Sequence, residues 1–386
     1  MIESRFIEKL LKNRKIEFKS LGDVTEMKRG KTITAKDASG GDIPVISGGQ
    51  KPAYYHNEYN RNGKTITVAG SGAYAGFIMY WEEPIFVSDA FSIKSDETLL
   101  DLKYVYHFLL QHQQKIYGMK KGSGVPHVYP KDLSTLVIPI PPLDVQQEIV
   151  RILDAFTSLT AELTAELTSR QKQYQYFRDK LLNFDDISDR GGYETNPITK
   201  ALWHNKKVVF KALGNISENL DFMRKPITSG LREKGNIPYY GASGIVDYVK
   251  DYIFEGDYLL VSEDGANLLA RNTPIAFSIS GKNWVNNHAH VLKFNTYTER
   301  RFVEFYLNNI DLTPYISGAS QPKLNKNNLS NIKIPAPPFE EQQRIVTILD
   351  KFETLTNSVT EGLPKEIELR QKQYEYYREK LLSFSQ

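Results

Sequence analysis

Residues 133–154 read LSTLVIPIPPLDVQQEIVRILD, and residues 329–350 read LSNIKIPAPPFEEQQRIVTILD, 196 positions later. Farther on, RQKQYQYFRDKLL from Arg170 to Leu182 returns as RQKQYEYYREKLL from Arg370, now 200 positions on, so the second copy holds four extra residues, near Gly362 and Pro364. Self-similarity over this length means that the chain is two versions of one unit. The flanking segments agree more weakly: Phe18–Asp23 (FKSLGD) with Phe210–Asn215 (FKALGN), Ile43, Pro44 and Ser47–Gly49 with Ile237, Pro238 and Ala242–Gly244, and Gly122–Pro126 (GSGVP) with Gly318–Pro322 (GASQP). The order is variable unit, shared helix, variable unit, shared helix. Glu8–Leu11 (EKLL) also echoes the ends of both shared helices, Asp179–Leu182 and Glu379–Leu382. Such a chain can close on itself about an approximate two-fold axis with its long helices antiparallel.

The shared blocks read as helices. Pro139, Pro141 and Pro142 make a stiff extended approach, since proline lacks a donor and disfavours helix in the residue before it. Asp144 is placed to cap the helix, with Gln147 three residues on completing a capping box, whereas Glu340 in the second copy is a poorer cap. Ile149, Phe156, Leu163 and Phe177 fall seven or fourteen residues apart, and Leu153, Leu167, Tyr174 and Leu181 form a companion series four residues further along. That alternation is the seam of a coiled coil, interrupted at Thr160 and Arg170. Ile345, Leu349, Phe352 and Val359 begin the same pattern, and the four-residue insertion acts as a stutter that Gly362 and Pro364 turn into a kink or break. A helix over 144–182 is roughly 60 Å long.

The variable units mix short strands (64–68, 85–87, 258–261, 275–279) with helices at Leu102–Gln111 and Arg300–Asn308, joined by Gly- and Ser-rich loops. The expected fold class is α/β: two globular mixed α/β domains, each with a curved mixed sheet, alternating with two long helices that pack as an antiparallel coiled coil.

Bulk properties bound the function. The 386 residues allow two to four domains of about 100–200 residues. With no cysteine, a disulfide framework and any Cys-ligated zinc or iron–sulfur site are excluded. No apolar run approaches the roughly 20 residues of a membrane span. The acids within Met1–Lys12 read as an amphipathic helix rather than a secretory signal, and a cytoplasmic protein is expected. A net charge of +3 is too balanced to argue for nucleic acid by itself, but 23 tyrosines suit interfaces.

Several loops carry chemistry suited to DNA. Lys28, Arg29 and Lys31 form a basic turn, and Lys120, Lys121, Ser123 and His127 another; such residues position a protein on phosphates. Candidate base readers are Tyr54, Tyr55, His56 and Arg61 in the first unit. In the second they are Tyr239, Tyr240, Arg271, Asn286, Asn287, His288, His290, Gln321 and Lys323, since Arg and Lys pair with guanine and Asn and Gln with adenine; Arg224 and Lys225 are further DNA-binding candidates there.

Enzyme signatures fail together. Gly70–Gly76 (GSGAYAG) follows a strand but lacks GxGxxG spacing, and the second unit places Glu263 and Asp264 at the equivalent point. A methyltransferase with its own cofactor loop at 70–76 is the rival enzyme reading, yet no Asn/Asp-Pro-Pro-aromatic tetrapeptide accompanies it. Gly30-Lys31-Thr32 and Gly63-Lys64-Thr65 lack the earlier glycine of a phosphate loop, holding Thr25 and Glu58 there. HExxH and GxSxG are absent. The expectation is a non-enzyme with no cofactor and no metal; a coiled-coil structural adaptor is the other rival.

The duplicated IPIPPLDVQQEIVRILD and IPAPPFEEQQRIVTILD, each leading to RQKQYxYxRxKLL, closely resemble the conserved regions of Type I restriction–modification specificity (S) subunits. The resemblance covers the whole chain. It implies a first target recognition domain over 1–142 (with an N-terminal helix at 2–12), a first conserved helix over 143–185, a second recognition domain over 186–338 and a second conserved helical region over 339–386. It further implies that each domain binds one half of a split, asymmetric site in double-stranded DNA. The helices would set the unread spacer and dock two methyltransferase subunits, joined in the full complex by restriction subunits. Methylation and ATP-driven cleavage would belong to those partners. Two unlike units imply two unlike half-sites.

Overall fold

The computed structural model describes residues 9–12, 14–38, 40–184, 208–318 and 321–384. Of the helix expected at 2–12, Lys9–Leu11 is described and helical. The rest of that helix, apart from Lys12, and the domain boundary expected at 186 lie outside the described residues. The chain forms two compact units, one comprising 1–165 with 365–386 and the other 166–364.

In the first unit, β1 (Glu17–Ser20) is followed by β2 (Thr25–Arg29), β3 (Ile43–Ile46), β4 (Tyr54–His56), β5 (Thr65–Ala69), β6 (Ile78–Trp81), β7 (Phe86–Val87), β8 (Ala90–Ser95), α1 (Leu102–Gln111) and β9 (Val137–Ile140). Instead of one curved sheet there are two: an antiparallel sheet in the order β2-β8-β5-β6, and a mixed one in the order β4-β3-β7. The pairing of β3 with β7 is parallel. Every residue of β5 is buried, because α1 covers one face through Val105, Phe108 and Leu109. Asp101 caps α1, its carboxylate accepting from the amides of Lys103 and Tyr104.

The second unit repeats this plan. Its strands are β10 (Val209–Ala212), β11 (Glu218–Asn219), β12 (Lys234–Gly241), β13 (Gly244–Val249), β14 (Phe254–Glu255), β15 (Tyr258–Ser262), β16 (Ala276–Ile279), β17 (Lys282–Val285), β18 (Ala289–Lys293) and β19 (Lys333–Ala336), with α3 (Tyr297–Asn309) before β19. The sheet orders are β11-β18-β15-β16 and β13-β12-β17-β14, again with one parallel pair, β12 with β17. The strand β14 has only a single-residue counterpart in the first unit, the Arg61–Ile85 bridge.

Each unit is closed by a two-stranded ribbon that feeds the conserved helices. Phe18 pairs opposite Pro139 and Phe210 opposite Pro335. A two-stranded ribbon tolerates the proline because its outer edge needs no donor. The helix α2 (Leu143–Leu181) then runs unbroken through 39 residues. Asp144 lies inside its first turn rather than capping it; Arg14 holds the carboxylate in a two-bonded pair at 2.7 and 2.9 Å. The motif glutamines take over local satisfaction instead. Gln146 donates to the Pro141 carbonyl and Gln342 to that of Pro337, fixing the turn from strand into helix in both copies.

The second conserved region is two helices, α4 (Phe339–Asn357) and α5 (Gly362–Leu382). The break falls at Ser358–Glu361, just before the residues expected to cause it, so Val359 leaves the seam and is 75% exposed. Gly362 has φ +81°, where a side chain would meet the Thr354 carbonyl, and Pro364 sits in the first turn of α5, where its missing donor costs nothing. In the first unit Ile149 and Leu153 of α2 are fully buried in one cluster with Tyr374, Leu381 and Leu382 of α5, and Phe156 stacks on Tyr377 at 5.2 Å. In the second unit Leu181 and Leu182 bury with Ile345, Val346 and Leu349 of α4, and Phe177 stacks on Phe352 at 5.7 Å. Each fully buried Ile or Leu contributes about 1.5–3 kcal/mol. The last helix of the chain thus completes the core of the first unit.

Candidate nucleic-acid interface

At one end of the sheets in the first unit, four loops are tied together by backbone bonds. Lys31 N–H donates to Val87 O (3.0 Å), Gly70 N–H to Asp89 O (3.2 Å), Gly72 N–H to Pro126 O (3.0 Å) and Val128 N–H to Gly70 O (3.0 Å). The fourth loop is a finger, residues 121–127, closed by reciprocal bonds between Lys121 and His127 (2.9 and 2.8 Å). Gly122 turns its tip at φ +107°, and a Cβ there would come 2.8 Å from the Val125 carbonyl.

The second unit builds the same frame bond for bond. Lys225 N–H donates to Val285 O (3.3 Å), Glu263 N–H to His288 O (2.9 Å), Gly265 N–H to Pro322 O (3.2 Å) and Leu324 N–H to Glu263 O (2.7 Å). Ser317 and Lys323 close its finger at 2.8 and 2.7 Å, and Gly318 turns it at φ +86°. Bridges of Ser71 with His127, and of Asp264 with Lys323, join finger to strand-exit loop in each case. The frame is therefore a property of the backbone, while the side chains it presents differ.

The expected contact residues divide on this frame. Lys28, Arg29, Lys31, Tyr55, Lys121 and Ser123 are exposed in the first unit, as are Lys225, Asn287, His288, Gln321 and Lys323 in the second. Arg29 lies over the Tyr129 ring at 5.6 Å and His127 stacks on the same ring, which joins the basic turn to the finger base. Lys120 folds back onto Ala73 O and the Tyr117 ring, and Lys121 pairs with Asp132. Tyr54 is half-buried, its hydroxyl donating to Ile33 O, and Tyr240 and Arg271 are also half-buried.

Six of the expected residues serve the interior. His56 is buried edge-on to Phe86. Arg61 spends its donors on Ser92, Asn60 O and Arg29 O. Tyr239 is 1% exposed, and its hydroxyl accepts from Ile227 N–H. Asn286 is buried and accepts from His288 N–H. His290 is fully buried, with Nδ1 at 2.6 Å from Asp221 and Nε2 at 2.7 Å from Leu324 O. Arg224 pairs with Glu263 at 2.5 Å. A buried polar group must be hydrogen-bonded, and Tyr239, Asn286, His290 and Arg224 are. Residue type alone could not separate them from the exposed readers.

Asp221, Glu263 and His290 also bring metal-ligand atoms within 4.8 Å of one another. Arg224 and Lys323 already neutralise this group, at 2.5 and 3.1 Å from Glu263. Burial pushes both carboxyls up, but His290 and Val291 N–H at Asp221, and Arg224, His290 and Lys323 at Glu263, outweigh it and hold both below the ordinary range. The group is a compensated charge network bracing the frame. The Gly70–Gly76 segment is a hairpin turn between β5 and β6: Gly76 N–H donates to Ala69 O and Ala69 N–H to Phe77 O, while Gly76 packs on Ile116 and Val128.

Against known proteins, the model of the Type I restriction modification DNA specificity domain matches twice, over residues 13–170 and 205–369. The chain belongs to that family. A putative type I restriction enzyme specificity subunit of Haemophilus influenzae is 32% identical, covering 98% of both chains. The specificity subunit of the Escherichia coli enzyme EcoR124I/EcoR124II is 32% identical, covering 100% of this chain and 98% of its own. The fold is shared with the solved S subunit from M. genitalium (TM-score 0.66, 20% identity, 97% and 98% covered). It is shared also with a chain from a study of complex assembly and conformational transition of the type I R-M system (TM-score 0.55, 16% identity, 96% and 98% covered). The role of a Type I specificity chain is DNA sequence recognition, not catalysis. No helix among the described residues is long and apolar enough to cross a membrane.

Proposed function

We propose that this chain is the subunit through which a Type I restriction–modification complex reads a split, asymmetric site in double-stranded DNA, each variable unit binding one half. The conserved helices would set the unread spacer and dock two methyltransferase subunits, with restriction subunits joining in the full complex, in the cytoplasm. In this reading the recognition domains are 1–142 and 186–338, and the helical regions 143–185 and 339–386. The contact set is reduced to the exposed and half-exposed residues on and around the two loop frames, from Lys28 to His127 and from Lys225 to Lys323.

The observation that carries this reading is the duplicated frame: one backbone scaffold presented twice with unlike side chains. A scaffold of that kind gives two readers of one geometry and two sequences. Binding-site selection from random duplexes, using the chain assembled with its partner methyltransferase, tests it. Enrichment of two unlike short motifs across a fixed gap is expected; a single contiguous motif, or no enrichment, overturns it.

A further inference from the structure

The two frames present three equivalent positions whose side chains have been exchanged in chemical character. Backbone bonding fixes the equivalence: Gly70 with Asp89 answers Glu263 with His288, and Gly72 with Pro126 answers Gly265 with Pro322. The positions one residue on from Gly70 and Glu263, and from Pro126 and Pro322, then correspond as well. Thus Ser71, Asp89 and His127 in the first unit stand where Asp264, His288 and Lys323 stand in the second.

Within each trio the strand-exit and pre-strand residues pair. Ser71 Oγ donates to the Asp89 carboxylate, and His288 Nδ1 lies 2.9 Å from both oxygens of Asp264. Acceptor and partner have changed places: the carboxylate is on the pre-strand turn in one unit and on the strand-exit loop in the other. Asp89 and His288 are exposed beside the buried Ala90 and Ala289, and Lys323 is exposed on the finger with its ammonium 3.1 Å from Glu263. Neither pair is needed to hold the frame, since the same backbone bonds form under both sets of side chains.

The geometry points to these three positions, 71/264, 89/288 and 127/323, as specificity-determining residues that make the two half-sites differ. This rests on the DNA-reading function proposed above. Ionised carboxylates accept only, so Asp89 and Asp264 suit the exocyclic amino groups of cytosine or adenine. Ser71, His127 and His288 can present a donor or an acceptor, and Lys323 offers only donors, suited to the guanine edge. Ser71 and Asp264 lie in the strand-exit segment weighed above as a cofactor loop, and the repeat-equivalent bonding gives them, with Asp89, a place in the frame instead.

The test is site selection from random duplexes with the full chain assembled with its methyltransferase. It compares the wild-type chain with the transplant Ser71→Asp, Asp89→His, His127→Lys, and with the exposed single changes Asp89→Asn and His288→Gln. The expected result is a change of about tenfold or more in base preference at one or more positions of one half-site. The other half and the gap should be untouched, with Asp89→Asn and His288→Gln altering opposite halves. Should the transplant fail to fold, by circular dichroism and thermal unfolding, the two single variants decide. Unchanged preferences in folded variants overturn the inference, and so does a uniform loss of affinity. A wild-type chain that selects nothing overturns the proposed function instead.

Discussion

His107 Nε2 lies 2.9 Å from Asp154 Oδ1, while its Nδ1 lies 3.0 Å from the Tyr374 hydroxyl. One fully buried imidazole on α1 therefore joins α2 and α5 in the first unit. An ionised carboxylate only accepts, so Nε2–H donates to Asp154. Lys103 adds a second bond to Asp154 at 2.9 Å. In the second unit the repeat-equivalent Asp350 accepts from Arg301 at 2.8 Å and from the Tyr297 hydroxyl at 2.8 Å. The aspartate ending each ILD motif thus fastens a recognition domain to its conserved helix.

Replacing His107 with alanine removes both bonds and leaves a cavity among three helices. The expected cost is about 2–3 kcal/mol, the range for a buried hydrogen bond to a charged group and its orphaned partner. Thermal unfolding measures it, and a midpoint within 1 °C or so of wild type is incompatible with this role.

Acid should loosen the same junction. Partial burial pushes the Asp154 carboxyl up, but His107 and Lys103 outweigh it and hold the group below its ordinary value. A carboxyl whose folded value lies below its unfolded value of about 3.9 stabilises fully above that value, and loses its contribution as pH falls through the folded one. The stability gap between wild type and Asp154→Asn should therefore be largest near neutrality and close below about pH 4. A gap unchanged at pH 3 contradicts it.

The finger loops should fail at their glycines. A Cβ at Gly122 or Gly318 meets a carbonyl at 2.8 or 2.5 Å, and both residues have positive φ. Gly122→Ala and Gly318→Ala should each weaken DNA binding about tenfold while shifting the unfolding midpoint little, because strain of about 1–2 kcal/mol is confined to an exposed tip. Titration of a labelled duplex and thermal unfolding together check this.

Lys31 and Lys225 occupy one frame position in both units and are exposed. Each changed to alanine should lower the slope of log affinity against log salt by about 1, evenly across DNA sequences. A changed base preference instead would assign them to readout.

The sequence made the repeat, the helix α2 and both domain helices legible, because LDVQQEIVRILD and its copy carry helical periodicity in every turn. The split into two sheets was not legible: β3 pairs with β7 across some forty residues, and local pattern holds no record of a non-local parallel pairing. Asp144 reads as a cap, yet a partner as distant as Arg14 claims it. Among the candidate readers, His290 and Tyr239 have the right chemistry but sit on strands facing the interior. Asp89 carries no local signal, and Ser71 reads as part of a glycine-rich loop, because their significance lies in a frame that only folding assembles.

The most direct test of one framework carrying two readers is a chain in which residues 209–336 are replaced by a second copy of residues 17–140, assembled with its methyltransferase and put through site selection. The account predicts a symmetric site made of one half-site used twice. Recovery of the original asymmetric site by the folded chimera would contradict it.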